Sequence, residues 1–106
     1  MSESLEFFWS VAQPFLAQPG VEKGTMMGYP CLRSNGDFFA SVHPESGSLI
    51  IKASAETVQQ LISDGSGEAF APNGRIFREW VVIPDQNLAA WTQFLETARA
   101  FVKGSN

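Results

Sequence analysis

The tetrapeptide Ser34-Asn35-Gly36-Asp37 constrains this chain more than any other stretch. Asn-Gly accepts positive φ at two successive positions, as a type I′ turn demands, and the twist of that turn matches two antiparallel strands. Asp37–His43 therefore leaves the turn as a strand, with Phe39 and Ser41 on one side and Phe38, Ala40 and Val42 on the other. The entering strand spans Thr25–Arg33, where Gly28 and Pro30 suit an edge position or a bulge. Pro44-Glu45-Ser46-Gly47 turns the chain again, into a short apolar strand over Ser48–Lys52.

Helical spacing brackets this hairpin region. Leu5, Phe8, Trp9, Ala12, Phe15 and Leu16 form one stripe over Glu3–Gln18, and Pro14 requires the helix to kink or end early. Ser54 is suited to cap a helix that ends near Ser63, with Val58, Leu61 and Ile62 as its apolar face. Phe70 marks a short strand and Pro72-Asn73-Gly74 a turn. Arg75–Ile83 then alternates apolar groups on both sides, with Phe77, Glu79, Val81 and Ile83 facing one way and Ile76, Arg78, Trp80 and Val82 the other. A last helix runs from Gln86 to Val102 with Asp85 as N-cap, and residues 103–106 fray. The order α-β-β-β-α-β-β-α predicts an α+β fold, a curved antiparallel sheet packed by helices. At 106 residues the chain makes one domain over 1–106, its core spanning about 5–102.

Composition excludes several classes. A hydrophobic content of 44% supports a real core rather than a disordered chain. The single Cys31 excludes an internal disulfide, and the single His43 excludes a His-rich metal site. No basic stretch precedes an apolar run at the amino terminus, and no apolar run is long enough to span a bilayer, so a cytoplasmic protein with a reduced thiol and no membrane partner is expected. Eleven acidic residues against seven basic ones give −4, which disfavours strong nonspecific binding to nucleic acid.

Few residues suggest chemistry. Gly20, Gly24 and Gly28 lack the strand–loop–helix context of a phosphate-binding loop and read as turn and bulge positions. Cys31 lacks a CxxC partner and sits in a strand, where it reads as structural. His43 precedes a proline turn and reads as a satisfied surface residue. Met26 and Met27 suit hairpin packing over a sulfur-rich binding surface. Asp37, Glu45 and Glu79 have no metal-ligand spacing, and no cofactor is expected. The basic residues say more. Arg33, Lys52, Arg75 and Arg78 lie in or beside four strands that a sheet can bring together, and guanidinium forks suit a phosphate or carboxylate. Solvated strand-edge charge is their ordinary reading; candidate contacts with an anionic partner are the functional one.

Thr25-Met26-Met27-Gly28, Cys31-Leu32-Arg33, Asn35-Gly36-Asp37-Phe38-Phe39-Ala40, Leu49-Ile50-Ile51-Lys52 and Phe70-Ala71-Pro72-Asn73-Gly74-Arg75 form an ordered series. The series resembles small proteins related to the TfoX amino-terminal domain, in the broader YjbR/MmcQ-like group, over roughly residues 5–102. Met26-Met27-Gly28 stands where the family usually has Met-Phe-Gly. The resemblance implies an α+β domain with wing-like hairpins, a link to competence regulation and, for some relatives, DNA binding. It carries no catalytic residue onto this chain.

The leading expectation is a noncatalytic regulatory or interaction domain that recognises partners through its sheet and hairpins. Its partner is a protein or an anionic small molecule. The alternatives are a nucleic-acid-binding transcription or competence domain, and a small-molecule binding protein or enzyme using Cys31 and His43. Three tryptophans and nine phenylalanines also supply enough apolar surface for a homodimer.

Overall fold

The structure, a computed structural model, describes residues 3–26, 28–43, 45–71 and 74–104. The element order is α1 (Glu3–Leu16), β1 (Val21–Met26), β2 (Tyr29–Ser34), β3 (Asp37–Val42), β4 (Leu49–Lys52), α2 (Ala55–Ser63), β5 (Glu68–Ala69), β6 (Trp80–Ile83) and α3 (Leu88–Gly104). The fold is α+β, as expected. The stretch expected as one strand over Thr25–Arg33 is two strands, β1 and β2, paired in register from Val21 opposite Ser34 to Met26 opposite Tyr29. The chain reverses between them at Gly28, whose φ of +80° a glycine adopts without steric cost. The readings of Met27, Pro44 and the Pro72-Asn73 turn fall outside the described residues.

All pairings are antiparallel, in the order β1-β2-β3-β4-β6-β5. The Asn35-Gly36 turn forms with φ of +52° and +90°, the two left-handed positions the sequence demands. One bulge interrupts the ladder. Leu32 faces Ala40 while Arg33 faces Phe38, so Phe39 is an extra residue on β3. The alternation expected for this strand therefore breaks: Phe39 joins Ala40 and Val42 in the core instead of facing the other way with Ser41.

One face of the sheet carries the core. Leu32, Phe39, Ala40, Val42, Leu49, Ile51, Val81 and Ile83 pack there against Phe8, Val11, Ala12 and Phe15 of α1, Val58 of α2, and Trp91, Leu95, Ala98 and Val102 of α3. Pro14 lies within α1, which ends two residues later at Leu16; the lost amide falls in the last turn, where little helix remains to be disrupted. α2 begins as expected: the Thr57 amide donates to Ser54 Oγ at 3.2 Å. α3 starts later than expected. Its cap is Asn87, whose Oδ1 accepts from the Ala90 amide at 2.9 Å, while Asp85 offers only its backbone carbonyl, to Trp91 Nε1 at 2.7 Å. The indole fixes the approach to the helix, which displaces the cap two residues along. The helix also holds residues 103 and 104, which were expected to fray.

The chain departs furthest from the expected pattern over Arg75–Ile83. Only Trp80–Ile83 is a strand. β4 ends at Lys52, opposite Trp80, and β5 ends at Ala69, opposite Val81. Upstream of Trp80 the chain has no strand to pair with, and alternation alone cannot supply one. Residues 74–79 instead belong to a loop closed by Phe77 N–H donating to the Phe70 carbonyl at 3.0 Å and Trp80 N–H donating to the Phe77 carbonyl at 3.2 Å. Among the described residues, no helix is long and apolar enough to cross a membrane.

Candidate functional site

The loop before β6 is held by aromatic packing. The rings of Phe70 and Phe77 meet edge to face with centres 5.5 Å apart, and Trp80 lies 6.4 Å from Phe70. Phe70 is buried, so the cluster anchors the loop while its outer residues remain open to solvent: Ile76 is 63% exposed and Phe77 36%. The Ala53 amide ties the far side down by donating to the Glu79 carbonyl at 2.9 Å.

This anchored loop and the end of β4 enclose an open recess of about 450 Å³ lined by Lys52, Arg75, Ile76, Phe77, Arg78, Glu79 and Trp80. Lys52 Nζ sits 5.9 Å from the centre of the Trp80 ring, within range of a cation–π attraction. Three of the four cations singled out from the sequence, Lys52, Arg75 and Arg78, thus share one site. Arg33 is not among its lining residues; it lies on β2, with its guanidinium 5.9 Å from the Phe38 ring and 4.0 Å from Glu22. Sequence reasoning missed Ile76, Phe77 and Trp80 as site residues. The mixture of cations and large apolar groups in Arg75-Ile76-Phe77-Arg78-Glu79-Trp80 was the available signal, and it reads equally well as a two-sided strand.

The recess suits recognition. Guanidinium groups offer paired donors to a carboxylate or phosphate, and exposed Ile76 and Phe77 with half-buried Trp80 offer apolar contact beside them. Glu79 adds one carboxylate that opposes an anion of high charge density.

Cys31 and His43, the pair that an enzyme reading would use, sit in different settings. Cys31 is fully buried on β2. Burial pushes its thiol up to about 11, only partly offset by the Arg33 charge, so the nucleophilic thiolate is scarce at neutral pH. His43 Nδ1 accepts from the backbone amides of Glu45 and Ser46 at 3.3 and 3.2 Å, and its ring packs 5.0 Å from Tyr29. That nitrogen is occupied in shaping the β3–β4 turn. Among the described residues, no group of three His, Cys, Asp or Glu side chains is placed to hold a metal ion. No protein-family model matches the chain, and no curated protein matches it.

Proposed function

We propose that this chain is a noncatalytic interaction domain that binds an acidic protein segment in the recess before β6. One observation carries the reading: Lys52, Arg75 and Arg78 line one recess with exposed Ile76 and Phe77 in a chain whose net charge is −4. Arginine and aromatic residues are the side chains on which binding energy concentrates at protein interfaces.

The partner is a protein segment rather than a polynucleotide. Ten of the eleven acidic residues lie outside the recess, against four of the seven basic ones. Over the rest of the chain acidic residues outnumber basic ones, which opposes a long polyanion, whereas a short acidic segment presents its charge only where cations wait. The TfoX-like resemblance rests on the quoted residues alone, and it favours nucleic acid. We place the domain in the cytoplasm, a reducing compartment that suits a lone buried thiol.

The test is titration of a fluorescent peptide of Asp, Glu and Phe, followed by anisotropy at several salt concentrations. Saturable binding that weakens with salt, and falls at least about tenfold in an Arg75→Ala/Arg78→Ala variant, is expected. Tighter binding of oligothymidine of equal charge would show the polynucleotide reading to be correct instead. An absence of saturable peptide binding at low salt rejects the proposal.

A further inference from the structure

The recess is one end of a longer feature on the sheet face opposite the helices. Ile51 and Val81 point into the core, so their neighbours Lys52 and Trp80 point to the other face. Leu32 is likewise in the core, so Arg33 and its cross-strand partners Glu22 and Phe38 share that outer face. Ala40 sits opposite Ile51, and the bulged Phe39 turns inward. The next outward position on β3 is therefore Phe38, which the register sets beside Lys52. Read across the strands, the outer face carries Arg33, Phe38, Lys52 and Trp80 in one row: cation, aromatic, cation, aromatic. All four are half-buried.

Arg33 is seated for this position. An added side-chain carbon at Gly24, the residue across from Cys31, would come within 3.0 Å of Arg33 Nε and 3.5 Å of Cys31 Sγ, so the arginine stem lies over the bare glycine. Arg33 Nε is buried without a hydrogen-bond partner, which leaves its terminal nitrogens as the groups an incoming carboxylate can reach. The Arg33 guanidinium carbon lies 5.9 Å from the centre of the Phe38 ring, within cation–π range, an attraction that uses none of its N–H donors. Glu22, itself 64% exposed at 4.0 Å, competes weakly in water.

We infer that the acidic segment lies across the strands along this row, in a polyproline-II conformation with acidic residues at every third position. The inference rests on the interaction reading of the recess and extends it. Neighbouring strands are about 4.8 Å apart, so the backbones that carry Arg33 on β2 and Lys52 on β4 are separated by about 10 Å. A polyproline-II chain rises about 3.1 Å per residue with three residues per turn, which places residues i and i+3 on one side about 9 Å apart. Two carboxylates at that spacing meet Arg33 and Lys52, and a third continues toward Arg75 and Arg78 beyond Trp80. Phe38 and Trp80, also two strands apart, support the residues between.

The experiment compares two labelled peptides of identical composition, one with Glu-Pro-Pro repeated three times and one with its three glutamates adjacent. Anisotropy should show the repeat binding about tenfold more tightly, with Arg33→Ala lowering its affinity about tenfold, Phe38→Leu a few-fold, and Lys103→Ala on α3 leaving it unchanged. Amide chemical shifts of the unsubstituted protein should move at Arg33, Phe38, Lys52 and Trp80 on adding the repeat, a readout independent of whether any variant folds. Equal binding of both peptides, with sensitivity to Arg75→Ala/Arg78→Ala but not to Arg33→Ala, overturns the row and leaves the recess reading standing. If neither peptide binds saturably the row is rejected, and the recess reading falls with it only if the peptide of Asp, Glu and Phe fails to bind as well.

Discussion

Cys31 pairs across the sheet with Gly24 on one side and Ser41 on the other, and its side chain is buried. Its ionisation is therefore tied to folding. Well below pH 9 the thiol is protonated in both folded and unfolded chains and contributes nothing that varies. As pH rises from 9 toward about 11, the unfolded chain ionises first and stability falls. We expect the urea midpoint to drop over that window by an amount worth about 1–2 kcal/mol. A Cys31→Ala variant, carrying every other titrating group, should lack that part of the slope. If the two proteins share one pH profile, the thiol is not held protonated by the fold. Aromatic disulfide reagents should also label Cys31 far more slowly in the native protein than in urea.

Elements whose specification is local were legible in the sequence. Asn35-Gly36 fixes its own turn, and Ser54 fixes the start of α2 through a bond three residues away. Elements that depend on a distant partner were not. The pattern of Arg75–Glu79 is that of a strand, yet strand pairing is a property of two segments, and both neighbours of β6 stop short. The same logic separates Asp85 from Asn87. Both are good capping residues, and only the tertiary bond from Trp91 Nε1 to the Asp85 carbonyl selects between them. Asn87→Ala should therefore cost about 1 kcal/mol in denaturant unfolding, while Asp85→Ala should cost a few tenths at most. The reverse ranking would restore the cap that the sequence suggests. The cations of the recess were visible as residue types, but their aromatic companions were concealed by the strand-like pattern.

At the scale of the molecule, the sheet has a protected centre and two dissimilar edges. β3, β4 and β6 lie between other strands and under α3 or α2, whereas the edge strands β1 and β5 pair on one side only and the 74–79 loop is exposed throughout. Hydrogen exchange should accordingly be slowest in β3, β4 and β6, and fastest in β1 and the 74–79 loop, with protection differing by orders of magnitude. Uniform exchange across the sheet would mean that the loop is as tightly held as the centre. The bulge at Phe39 puts two consecutive β3 side chains, Phe39 and Ala40, beneath the helices where β2 supplies only Leu32. The hairpin thereby gains filling volume on one side of the sheet while Arg33 and Phe38 stay opposite each other on the other, and removing the Phe39 ring would empty a fully enclosed space at a cost of about 3–5 kcal/mol.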